Sequence, residues 1–154
     1  MKIAIGADHR GASAAKVVLD KVTRDGHEAT ILGVCSGEVC DYPESAALVA
    51  RSVSQHQHDL GILICGTGIG MCMAANKIAG VRAATVHDEF TAEISRRHND
   101  ANVLCLSADL LGHKLIEKIV EVWLSTPFDG GRHARRLRKI SAIEEGKDPS
   151  GVKE

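Results

Sequence analysis

The chain has 154 residues, is 44% hydrophobic but only 3% aromatic, and balances 19 basic against 20 acidic residues for a formal net charge of -1. That length suits one domain with an aliphatic core, and the charge balance excludes a global field that would draw in nucleic acid or an anionic membrane. No run approaches eighteen apolar residues and no signal-like segment opens the chain, so a cytoplasmic protein with no membrane partner is expected. In chain order, short aliphatic runs alternate with amphipathic stretches. Residues 2–6 read as a strand, 11–24 as a helix and 28–33 as a second strand. After a loop around Asp41, Tyr42 and Pro43 come a helix over 44–55 and a strand over 59–65. A helix from Ile69 to about Ile78, a strand over 82–86, a helix over 89–98, a strand over 102–107 and a helix over 110–124 follow. Strands apolar on both faces and separated by helices predict an α/β fold, a three-layer α/β/α sandwich around a five-stranded parallel sheet, Rossmann-like in architecture. An extra C-terminal helix begins at Gly130, with Leu137, Ile140 and Ile143 expected on a buried stripe. Residues 1–146 are read as one domain and 147–154 as a polar tail that frays.

In an open parallel sheet, ligands sit beyond the carboxyl ends of the strands. This rule collects Asp8 and His9 after the first strand, residues 65–70 after the third, His87 and Asp88 after the fourth, and residues 107–109 after the fifth. The run Ile62-Leu63-Ile64-Cys65-Gly66-Thr67-Gly68-Ile69-Gly70 is the most informative of these, because a buried strand delivers a thiol to a glycine-rich turn. Alternate glycines let backbone N–H groups converge on an anion or a developing oxyanion, and the following helix favours negative charge on the sulfur. Cys65 is therefore a candidate base or nucleophile. Dinucleotide binding is the weaker reading. The glycines are followed by Met71 where a Gly-x-Gly-x-x-Gly fingerprint needs another spacing, they lie in the third βα turn, and no Gly-Lys-Ser/Thr follows them.

Among the other cysteines, Cys105 is expected to be a small buried hydrophobe. Cys35 and Cys40 share a polar loop in which unpaired thiols are expected, with a regulatory disulfide between them as the alternative. No Cys-x-x-Cys spacing and no His/Cys/acid pattern typical of zinc or manganese is present, so no metal or other cofactor is expected. Met71 and Met73 are read as packing residues, and Asn76 and Lys77 as helix surface. Read on their own, the basic run Arg132, Arg135, Arg136, Arg138 and Lys139 is a solvated helix face, and His98 with Asn99 a helix cap.

Six motifs in order change that balance: Gly6-Ala7-Asp8-His9, Asp41-Tyr42-Pro43, Cys65-Gly66-Thr67-Gly68-Ile69-Gly70, Ala74-Ala75-Asn76-Lys77, Arg97-His98-Asn99-Asp100-Ala101-Asn102 and Gly130-Gly131-Arg132-His133. Together they resemble the ribose-5-phosphate isomerase B family, related to allose and galactose 6-phosphate isomerases, nearly end to end. The resemblance implies a metal-independent aldose-ketose isomerase of a phosphorylated sugar working through a cis-enediolate. It makes Cys65 the base between C1 and C2, with Thr67, Asn99 and the amides of Gly66, Gly68, Ile69 and Gly70 holding the enediolate. His98 becomes the ring-opening acid/base, with Asp8 at the sugar hydroxyls and Tyr42 at the pocket. The phosphate falls to His9, Arg132 and Arg136. Arg132 and Arg136 are four apart and so share one helix face. A homodimer or tetramer with sites shared between subunits is implied as well. One position departs: Asp109 stands where many members carry a phosphate-binding arginine, which leaves a tetrulose 4-phosphate or hexose 6-phosphate as alternatives to ribose 5-phosphate. A non-catalytic phosphosugar-binding protein, needing the cradle and the arginines but no thiol, is the alternative from another class.

Overall fold

The computed structural model describes residues 1–34 and 39–153. Its elements are β1 (Lys2–Ala7), α1 (Ala12–Arg24), β2 (Glu28–Val34), α2 (Tyr42–Ser54), β3 (Leu60–Cys65), α3 (Ile69–Ala75), β4 (Ala83–Thr85), α4 (Glu89–Arg97), β5 (Val103–Ser107), α5 (His113–Ser125) and α6 (Arg132–Glu144). The five strands form one parallel sheet in the order β2-β1-β3-β5-β4. The expected α/β sandwich is what the chain forms. β3 lies at the centre and all six of its residues are buried, as a strand covered on both faces requires.

Side chains alternate between the two faces of the sheet with a period of two. Ile3, Ile5, Ile62, Ile64, Leu104 and Leu106 pack with Val18 and Val22 of α1 and with Ile116, Ile119, Val120 and Trp123 of α5. Ala4, Leu63, Cys65, Val103 and Cys105 pack with Ala46, Val49, Ala50 and Val53 of α2 and with Met71 and Ala75 of α3. Cys65 therefore points to the α2/α3 side.

Several boundaries differ from the sequence reading for local reasons. α2 begins at Tyr42, because Pro43 suits the first helical turn, where its missing N–H costs nothing. α3 stops at Ala75, and Asn76 turns away to pair with the backbone of Ala83, donating from Nδ2 to its carbonyl at 3.0 Å and accepting its N–H at 2.9 Å. α5 begins at His113, since Leu110 donates its N–H to Ser107 Oγ at 3.0 Å instead of entering the helix. The tail expected to fray forms a short 3-10 turn over Pro149–Gly151, capped by Asp148, which accepts the Ser150 N–H at 2.8 Å. The stripe expected to be buried on α6 is not covered: Ile140 is 49% exposed and Ile143 60%, and Leu137 is half-buried. α6 instead buries His133 and Ala142. Apolar periodicity marks a face that needs cover, and this chain alone does not supply it. Met71 is buried as expected, whereas Met73 is exposed. Cys35 lies outside the described residues. Cys40 is disulfide-bonded, which corrects the expectation of an unpaired thiol there.

Candidate active site

The turn after β3 is tied to both neighbouring strands. Cys65 is level with Ser107 of β5, and its carbonyl accepts the Ala108 N–H at 2.8 Å. The Gly66 carbonyl accepts the Asp109 N–H at 3.1 Å and Ser107 Oγ–H at 2.6 Å, while Asp8 N–H reaches the Ile64 carbonyl at 3.2 Å. Gly68 sits in the left-handed region with φ of 77°, which an L side chain enters only at a cost. That conformation turns the Gly68 N–H back onto Cys65 Sγ at 3.1 Å. A sulfur anion accepts such a bond more strongly than a neutral thiol does. Thr67 and Ile69 are exposed at the same turn, with the Ile69 N–H donating to Thr67 Oγ1 at 3.3 Å.

Four further side chains frame this turn. Asp8 is 5% exposed, and its Oδ1 accepts the N–H groups of Arg10 and Gly11, both at 2.9 Å, which fixes the chain entering α1 beside exposed His9. The Tyr42 ring lies over Gly70 so closely that a Cβ there would stand 2.6 Å from Tyr42 Cζ. At the other side of the turn, Asp109 forms a two-pronged ion pair with Arg10, with Nε to Oδ1 at 3.1 Å and Nη2 to Oδ2 at 2.8 Å. Asp109, the position that departs from the family pattern, thus has a cation on it. Asp8, His9, Tyr42 and residues 65–70 all lie at this end of the sheet. Cys65 is 4% exposed and lines none of the four clefts of about 220 to 560 Å³ seen elsewhere on the chain.

His98, Asn99, Arg132 and Arg136 are brought together elsewhere. His98 caps the C-terminus of α4 and stacks on His133, with ring centroids 4.0 Å apart and planes 8° from parallel. Arg132 Nε donates to His133 Nε2 at 3.4 Å, while Arg132 and Arg136 are exposed on α6. Burial first, and then the charges of His98, Arg132 and Arg136, push the His133 pKa below its ordinary value. Asp129 is held by Arg97, Nη2 to Oδ2 at 3.1 Å, and that bond keeps its carboxyl below the usual range. His98, Asp129 and His133 each offer a ligand atom, all within 4.8 Å of one another. This trio could hold a metal ion and escaped the sequence reading because its members are 31 and 4 positions apart. Burial and stacking single out His133, which the motif Gly130-Gly131-Arg132-His133 does not mark for a role.

The two groups occupy opposite ends of the sheet. Arg82, just before β4, donates from Nε to the carbonyls of Asn99 at 3.2 Å and Asp100 at 2.9 Å, and the Asn102 carbonyl accepts the Gly61 N–H at the start of β3. Cys65 lies four residues further along the β3/β5 ladder than Gly61, about 13 Å at roughly 3.3 Å per residue. Proton transfer needs groups within about 3 Å of the same substrate, so one chain cannot place His98 and Cys65 on one small sugar.

A family model described as Ribose/Galactose Isomerase matches residues 3–140. The chain belongs to this isomerase family. It is 42% identical to ribose-5-phosphate isomerase B of Escherichia coli over 144 residues, covering 94% of this chain and 97% of that protein. It is 38% identical to a D-erythrulose-4-phosphate isomerase of Pectobacterium atrosepticum, covering 94% and 95% respectively. Its fold is that of the Clostridium thermocellum ribose-5-phosphate isomerase B structure, with a TM-score of 0.93, 43% identity, and coverage of 95% of this chain and 99% of that one. The match runs through both groups of side chains, so this isomerase carries the thiol turn and the His98/Arg132 cluster within one family framework.

The remaining thiols of the isomerase sit in the α2/α3 layer. Cys105 is fully buried, which pushes its thiol well above the ordinary range. Cys72, half-buried on α3, is pulled down to about 6, first by a hydrogen bond from the Cys105 thiol and then by Thr85 and Asn76. Its Sγ lies 3.3 Å from the Ala83 carbonyl oxygen, a contact the sequence does not mark.

Proposed function

We propose that this isomerase interconverts ribose 5-phosphate and ribulose 5-phosphate, a step of pentose phosphate metabolism in the cytoplasm, in a site built from two copies of the chain. The observation that carries the reading is the Cys65 sulfur, held at the carboxyl end of the central strand with the Gly68 N–H on it. The Cys65 thiolate takes the proton from C2 of the open-chain aldose, and the electron pair passes through C1=C2 to leave negative charge on O1. The same sulfur returns the proton to C1 while the O2 proton moves to O1, which completes the ketose without an external oxidant or reductant. Amides of residues 66–70 and the Thr67 hydroxyl stabilise the enediolate, Asp8 orients sugar hydroxyls, and Tyr42 over Gly70 closes one wall.

His98, which opens the ring, and Asn99, Arg132 and Arg136, which hold the enediolate and the phosphate opposite His9, come from the second copy. Two observations support this. The opposite ends of the sheet keep His98 and Cys65 apart in a single chain, and the apolar stripe Leu137, Ile140 and Ile143 beside the arginines lacks cover. A twofold dimer satisfies both at once, since an isologous contact buries the same stripe twice and forms two equal sites. The relative that acts on D-erythrulose 4-phosphate keeps a four-carbon substrate as the second reading.

The deciding experiment is an assay with four-, five- and six-carbon aldose and ketose phosphates after chelator treatment. Turnover fastest on ribose 5-phosphate and lost in Cys65→Ala supports the reading. Preference for the four-carbon substrate selects the second, and unchanged turnover in Cys65→Ala removes the thiol mechanism.

A further inference from the structure

We propose that Arg10 is a phosphate-binding residue on the thiol-bearing side of the site, and that Asp109 is the positioning residue that aims its guanidinium; the inference rests on the isomerase reading above. Arg10 leaves the end of β1, Asp109 leaves the end of β5, and their ion pair crosses the mouth of the central strand between them. A Cβ on Gly66 would stand 2.8 Å from Asp109 Oδ2 and 3.1 Å from Arg10 Nε. Only a glycine lets the pair lie against the backbone there, one residue from Cys65.

The hydrogen-bond geometry gives the pair a direction. A guanidinium carries five N–H donors in a planar fork. Asp109 takes the edge formed by Nε, at 3.1 and 3.0 Å, and Nη2, at 2.8 Å. Among the described residues nothing takes the end formed by Nη1 and the second Nη2 proton, and a phosphate takes two such parallel donors well. The Arg10 side chain is 57% exposed and that of Asp109 37%, so the donor end reaches solvent. Both backbones are pinned, Arg10 by the Asp8 carboxylate at 2.9 Å and Asp109 by the Gly66 carbonyl at 3.1 Å. An exposed ion pair of this kind contributes little to folding, so stability gives little account of it.

The charges make the effect of mutation asymmetric. Removing Arg10 leaves Asp109 and Asp8 facing the phosphate beside His9, whereas removing Asp109 leaves a cation that is free to swing. A purely structural pair would lose the same from either side.

The test measures steady-state kinetics on ribose 5-phosphate and the dissociation constant for inorganic phosphate, titrated by NMR, in the full-length dimer. Arg10→Ala should raise KM and the phosphate dissociation constant together by about 10-fold with kcat within about 3-fold. Asp109→Ala should raise both by less, and the double variant should bind better than Arg10→Ala alone. A phosphate constant within about 2-fold of the parent in Arg10→Ala, or a larger loss in Asp109→Ala than in Arg10→Ala, overturns the proposal. Should the parent turn over no phosphosugar, the isomerase reading fails, while phosphate weakened by Arg10→Ala and less by Asp109→Ala still supports the anion site.

Discussion

Gly70→Ala separates stability from function at the site wall. Gly70 is the second residue of α3 and is not among the positive-φ glycines, so its backbone accepts an alanine, and the helix gains up to about 1 kcal/mol in propensity. The new Cβ would stand 2.6 Å from Tyr42 Cζ, 2.7 Å from Cε2 and 3.0 Å from the hydroxyl. Ordinary contact is nearer 3.5–4 Å, so the ring must retreat by about 1 Å. Tyr42 is 40% exposed and free to swing outward, at a rotamer cost of about 0.5–1.5 kcal/mol. The two effects nearly cancel, and Tm should stay within about 4 °C of the parent in differential scanning calorimetry. A displaced tyrosine loses one hydrogen bond to substrate, about 0.5–1.5 kcal/mol, so kcat/KM on ribose 5-phosphate should fall about 2- to 12-fold. Tyr42→Phe should reproduce most of that loss, and the double variant should lose little more. A fall in Tm beyond about 8 °C, or an unchanged kcat/KM, would refute the argument that this glycine exists to admit the tyrosine.

Other positions give sharper or opposite outcomes. Cys65→Ala should lower kcat by about 100-fold or more while binding of a substrate analogue, followed by calorimetry, persists; equal loss of binding would make the sulfur a structural group. Gly11→Ala would place a Cβ 2.2 Å from the Ile64 carbonyl oxygen, where only backbone can yield. It should therefore destabilise by about 1–3 kcal/mol or more in urea unfolding, and an unshifted midpoint would contradict the close approach of the α1 N-cap to β3. His133 has its pKa lowered from 6.5 by burial and by His98. The unfolded chain then binds this proton more readily than the folded one, so folded stability is present at neutral pH and is lost as pH falls through the lowered value. His133→Asn should flatten the stability profile below about pH 6.5; a profile as steep as the parent's would exclude this residue as its source.

The strands and the thiol turn were legible because each carries a local signature. β3 reads as six apolar residues ending in Cys65 and three glycines, and a parallel sheet gathers the carboxyl ends of its strands by topology alone. Tyr42 and Arg10 were harder to place. Their contacts depend on space over Gly70 and Gly66, which a sequence records only as missing side chains. The α6 stripe was read from its period as buried, yet periodicity does not say which surface covers it. His98 and Arg132 carry no local mark of the thiol they are proposed to serve. Arg82, holding the Asn99 and Asp100 carbonyls, sets them at the far end of the sheet, and that contact spans positions far apart in the chain.

Subunit complementation tests the shared thiol site most directly. Cys65→Ala and His98→Asn homodimers should each be nearly inactive. Unfolded together in equal amounts and refolded, they should recover about a quarter of parental activity, because half the dimers are then mixed and each holds one intact site of two. Failure to recover activity, with parental enzyme surviving the same refolding, would contradict a site in which the sulfur of one copy meets the histidine of the other.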